Sequence, residues 1–154
     1  MSLKIYVDAD ASPVQKEVIE IASETNLPVV LVKSFSHFSH AEDDPHVETI
    51  YVDKGADVAD FEILKRVRKN DIVITQDYGL ASLCMAKDCI VLHHKGFQYT
   101  NDNIDRLLSS RHENAMARRG GFRTKGPKPY SDEDRTEFIK LLRFIIGQSS
   151  QSKQ

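Results

Sequence analysis

At 154 residues, 40% of them apolar and 29% charged, the chain has the length and composition of one globular domain with a full hydrophobic core. Its longest apolar runs, such as Val29 to Val32, are far too short to span a bilayer, and a formal net charge of −2 excludes a uniformly basic polyanion binder. The charge is unevenly placed, with twelve Asp/Glu against four Lys/Arg in residues 1–60 and eleven against seventeen in residues 61–154, which predicts one acidic and one basic surface.

In chain order, Ile5-Tyr6-Val7 is a β-rich run that ends in Asp8. Pro13 suits the first turn of a helix, where its missing N–H is not needed. Val14, Val18, Ile21 and Ala22 follow at helical spacing, which predicts an amphipathic helix over 13–25. Pro28 opens a second strand, Val29 to Val32. Residues 34–46 read as a polar loop, and Val47 to Val52 as a third strand. Phe61, Ile63, Leu64 and Val67 give residues 57–67 a helical period. Asp71 precedes a fourth strand, Ile72 to Thr75; Leu80 to Ala86 is a short helix, and Cys89 to Leu92 a fifth strand. Residues 101–118 have helical character, 119–130 are punctuated by Gly and Pro, and Ser131 caps a last helix through Ile146, with Asp134 at the capping-box spacing. Strands alternating with helices predict an α/β fold: a three-layer α/β/α domain over residues 1–146, its mainly parallel sheet having about five strands. The composition of 147–154 predicts a flexible tail.

Met1 to Val7 runs straight into a strand without a signal-peptide pattern. Cys84 and Cys89 show neither a disulfide framework nor zinc spacing and read as buried thiols. Together these predict a cytoplasmic protein with no membrane partner.

Ligands of an open parallel sheet bind beyond the carboxyl ends of its strands. Asp8 and Asp10 follow strand one, Asp53 follows strand three, Asp57 and Asp60 begin the next helix, and Asp77 follows strand four. Asp57 and Asp60, three apart, share one helix face. Like charges gathered so closely lose their ionisation unless a cation sits among them. Oxygen donors favour Mg²⁺ or Mn²⁺, and carboxylate-bound pairs of such ions promote phosphodiester hydrolysis. Singly, each of these residues is also an ordinary turn or N-cap residue; it is their joint placement at three strand ends that points to a site.

The stretch from Tyr6 to Val14 (YVDADASPV) resembles the opening of the bacterial YaiI/YqxD family. So do Gly55 to Asp60, Thr75-Gln76-Asp77 with Leu80-Ala81, Tyr99 to Ile104, and Gly126-Pro127 followed by Ser131, Asp134-Arg135 and Phe138. The matches extend from the first strand to the last helix. That family is similar to PIN-like domains, whose known members are metal-dependent nucleases. The resemblance implies metal binding by Asp8 and Asp77, with the helix acid of the pattern at Asp57 or Asp60. Together with the carboxylates at the strand ends, it points to a PIN-like nuclease acting on RNA or DNA, RNA favoured, with Asp8, Asp10 and Asp77 as the expected catalytic residues and Asp8, Asp57, Asp60 and Asp77 as the expected metal ligands. Ser12 stands where the family usually has Cys, which argues against a shared thiol nucleophile.

Arg118, Arg119, Arg123, Lys125 and Lys128 form a basic run around Phe122, with no acid among them. Such a segment suits the tracking of a phosphate backbone and the stacking of a base, and equally a solvated loop. His93-His94, after strand five, read as a surface pair, and His37, His40 and His46 as loop residues. Two rival functions remain open. One is a phosphatase of the haloacid-dehalogenase type, with Asp8 as nucleophile and Asp10 as acid/base. The other is a nucleic-acid-binding or regulatory module without turnover.

Overall fold

A computed structural model describes residues 3–35, 45–55, 57–121 and 129–151. Strand β1 is Ile5–Asp8, followed by a single 3₁₀ turn at Ala9–Ala11 and helix α1, Gln15–Glu24. Then come β2 (Val29–Ser34), β3 (Val47–Val52), α2 (Val58–Arg66), β4 (Ile72–Ile74), α3 (Tyr78–Ala86), β5 (Ile90–His93), β6 (Phe97–Gln98), α4 (Asn101–Arg119) and α5 (Asp132–Gln151). The sheet has six strands in the order β3-β2-β1-β4-β5-β6. All neighbours pair in parallel except β5 and β6, which are antiparallel.

The two-residue alternation of side chains divides the core into two layers. Ile5, Val7, Val29, Leu31, Ile72 and Ile74 face α1 and α5, meeting Val18, Ile21, Phe138 and Leu142. Tyr6, Val30, Val32, Val73 and Val91 face the other way, meeting Ile63 of α2, Leu80 and Cys84 of α3 and Ile104 of α4. Burial on both faces explains why the central strands are continuously apolar. The architecture is therefore the expected three-layer α/β/α arrangement.

Two boundaries differ from expectation. β6 is a sixth strand, too short to carry a periodic signal. Helix α5 continues through Gly147 to Gln151, where the composition predicts a flexible tail. Extending an already nucleated helix fixes one residue per hydrogen bond gained, and the turns before it are anchored by the buried Ile145 and Ile146. The capping box at the start of α5 is present: Asp134 N–H donates to Ser131 Oγ and Ser131 N–H to Asp134 Oδ2, both at 3.1 Å. Cys84 and Cys89 are buried free thiols, which burial pushes up to about 12 and about 11.

Candidate metal centre

The chain winds outward in one direction from β1 through β2 to β3, then returns to the other side of β1 as β4. A crevice opens at such a reversal, beyond the carboxyl ends of the two strands. Asp8 ends β1 and Thr75 follows β4; the pairing Val7↔Ile74 sets them side by side. Thr75 Oγ1 donates to Asp8 Oδ2 at 3.1 Å and accepts the Asp77 N–H at 3.0 Å. Its own carbonyl accepts the Tyr99 hydroxyl at 3.1 Å. One buried threonine thus ties the two strand ends together.

Asp77 is the N-cap of α3, and its Oδ1 accepts the Leu80 N–H at 3.0 Å. Asp57 occupies the N-cap position of α2 in the left-handed region, with φ of 66°, and its side chain makes no cap bond. Asp is among the few non-glycine residues that tolerate this conformation. Asp60 lies in the first turn of α2. Asp57, Asp60 and Asp77 each offer an oxygen, and these oxygens lie within 4.8 Å of one another. Opposed oxygens across a hard divalent cation stand about 4–5 Å apart, so the donor set fits one.

The electrostatics of the cluster are those of crowded acids. Burial, then the charges of Asp77, Asp8 and Asp57, push the Asp60 carboxyl up to about 7, and its side-chain hydrogen bond with Asp77 acts in the same direction. Asp8 is also raised, by burial first and then by Asp77 and Asp10, against the lowering effect of the Thr75 hydrogen bond. Crowding of this kind favours protonation of one carboxyl and would equally be relieved by a cation.

Of the other expected residues, Asp10 is exposed and its two oxygens accept the Ser34 N–H at 2.9 and 3.1 Å, fastening the 3₁₀ turn to the end of β2. Asp53 is exposed and stands outside the cluster. Arg119 is exposed at the end of α4, and Arg118 precedes it in that helix; Arg123, Lys125 and Lys128 lie outside the described residues, as do His37 and His40. His93 and His94 are not a surface pair: they are 7% and 8% exposed. The His93 ring stacks on Phe97 with centroids 4.6 Å apart, across the turn to β6. Burial, with His94 and Lys95 nearby, pushes His93 down to about 4, so it is a neutral packing group at ordinary pH.

Phe61 also departs from the helical-period reading. Ile63 is the buried residue of α2, with buried Val67 just past its end, and Phe61 points about 200° away from Ile63. It is 71% exposed. With Asp57, Asp60, Leu64, Asp77, Leu80 and Leu83 it lines a groove of about 440 Å³ between α2 and α3. The spacing of 57, 60, 61 and 64 is the signal that would have found this face.

The family model described as "Uncharacterized BCR, YaiI/YqxD family" matches residues 6–148. A UPF0178 protein of Bacillus cereus is 58% identical over 145 residues, covering 94% of this chain and 99% of its own length. A UPF0178 protein of Bacillus anthracis is 56% identical over 145 residues, with the same coverage of both chains. No solved structure matches the chain.

Proposed function

We propose that this chain, which belongs to the bacterial YaiI/YqxD family, is a divalent-metal-dependent phosphodiesterase acting on nucleic acid. One observation carries the reading: three carboxylates from two helix starts converge within 4.8 Å at the crevice where the sheet order reverses. Oxygen-only donors suit Mg²⁺ or Mn²⁺, held by Asp57, Asp60 and Asp77. Bound there, such a cation supplies an activated water and charge stabilisation at a phosphorus centre. The chain's own residues do the rest. Thr75 orients Asp8 against Asp77, and Asp8 presents a half-buried carboxylate for the proton of an attacking water. Asp60 would give up its proton where such a cation is held. The run Arg118, Arg119, Arg123, Lys125 and Lys128 supplies positive charge for backbone phosphates. The resemblance to PIN-like nucleases expected from the sequence points the same way, as a weaker warrant because folds host many chemistries.

The test is cleavage of labelled single-stranded RNA, single-stranded DNA and p-nitrophenyl phosphate with Mn²⁺, for the wild type and for Asp60→Asn/Asp77→Asn. The expected result is metal-dependent oligonucleotide cleavage that the double variant lacks, with no covalent adduct. Turnover of the monoester through a trapped phosphate on Asp8 would replace the proposal with the phosphatase mechanism. Metal and strand binding without cleavage would leave a binding module.

A further inference from the structure

The groove between α2 and α3 is acidic at one end and apolar along its wall. α2 turns Asp57, Asp60, Phe61 and Leu64 toward it, and α3 contributes Leu80 and Leu83. The fold leaves Phe61 71% and Leu83 52% exposed, so the bulkiest side chain of α2 stands in water beside the carboxylates. An occupant that uses the whole groove needs an anionic group, to meet a cation held by the acids, and a flat apolar part to lie on the wall. A nucleotide joins both in one unit. We propose that Phe61 is the platform of a base subsite, on which an unpaired nucleobase stacks while its own phosphate lies at the Asp57-Asp60-Asp77 end. The substrate is then a single strand, because the faces of a paired base are covered by its neighbours in the duplex. Stacking on an aromatic is tolerant of base identity, since every base has a π-face. The subsite rests on the metal-dependent reading above, and its test separates the two.

The chain contains no tryptophan, so Phe61→Trp installs a single fluorophore at the subsite. Its emission is measured in Mn²⁺ on adding a single-stranded oligoadenylate, the same strand made abasic, and a duplex. Binding of the labelled single strand is followed in parallel by anisotropy for the wild type and Phe61→Ala, with melting in Mn²⁺ as the measure of metal binding. The oligoadenylate is expected to quench the tryptophan, the abasic strand and the duplex to leave it bright, and Phe61→Ala to weaken binding about tenfold. Phe61→Ala is expected to keep the stabilisation by Mn²⁺. Binding of the strand with an unquenched tryptophan and an unaltered Phe61→Ala affinity overturns the subsite and leaves the metal reading standing. Equal quenching by the abasic strand overturns the stacking claim, and a Mn²⁺-stabilised protein that binds no strand overturns the subsite as well. A wild type whose melting ignores Mn²⁺ overturns the metal reading, and the subsite with it.

Discussion

Thr75 is the residue on which the centre turns. Its hydroxyl donates to Asp8 and accepts from the Asp77 backbone, so two carboxylates are positioned through one side chain that is 2% exposed. Thr75→Val keeps the shape and removes both bonds, leaving a half-buried carboxylate without its donor and a backbone N–H without its acceptor. A loss of this kind costs about 1–3 kcal/mol. It also raises Asp8 further, since the Thr75 bond is what lowers it. We expect Thr75→Val to lower the urea midpoint accordingly and to weaken Mn²⁺ binding, while Thr75→Ser, which keeps the hydroxyl, stays near the wild type in both. Equal behaviour of the two variants would show that the hydroxyl holds nothing in place.

At the scale of elements, the turn between β5 and β6 governs how α5 lies on the sheet. Gly96 has φ of +98°, and a Cβ there would meet Glu137 Cβ at 2.7 Å and the Phe138 backbone nitrogen at 2.9 Å. Gly121 has a comparable φ of +85° but nothing within 4 Å of its Cβ position. Gly96→Ala adds overpacking, about 1–3 kcal/mol, to the strain of a positive φ, whereas Gly121→Ala carries the strain alone. Urea unfolding of the two variants separates these effects, and equal losses would refute the close approach of α5 to the turn. This hairpin was also the least legible part of the sequence. Its strand is two residues long and its turn, His93 to Phe97, lacks an Asn-Gly or Asp-Gly signal, so His93 and His94 read as exposed when Phe97 and Tyr130 cover them. The long central elements were legible because their apolar period matches their burial, from Ile5-Tyr6-Val7 to Val14 and Val18. Strand ends told where acids gather, but not which of them converge. Asp57, Asp60 and Asp77 meet through the left-handed turn at Asp57 and the close approach of α2 to α3. Asp10 turns instead to the Ser34 amide, and no pattern in the chain distinguishes these two fates.

At the scale of the whole molecule, the crowded acids tie stability to pH and to metal. Asp60 ionises at about 7 in the fold against a reference value of 3.8. A carboxyl raised in this way binds its proton more tightly when folded, so the stability it contributes is complete below the reference value and is lost as pH rises through about 7. Asp8, raised by burial, acts in the same direction. Glu24, Glu62 and Asp134 are lowered by Arg143, by Arg66 and by Ser131 respectively; they act oppositely, and only as pH falls through the acid range below their reference values. Buried His93 and His94, both lowered from 6.5, act against Asp60 by adding stability as pH rises toward that value, so between about pH 5 and about pH 8 the loss through Asp60 is read as the difference between the metal-free wild type and Asp60→Asn. A cation takes the place of the proton, so Mn²⁺ should stabilise more at the upper end of this range than at the lower, and its binding near neutrality should release protons. Thermal melts across the range with and without saturating Mn²⁺, and calorimetry in buffers of different ionisation enthalpy, measure both effects. Asp60→Asn, which is neutral at every pH, should gain steadily on the metal-free wild type as pH rises, melt higher than it at the alkaline end and lose most of the response to Mn²⁺. Parallel curves with and without metal, or an Asp60→Asn curve as steep as the wild type's, would mean that Asp60 does not exchange its proton for a cation.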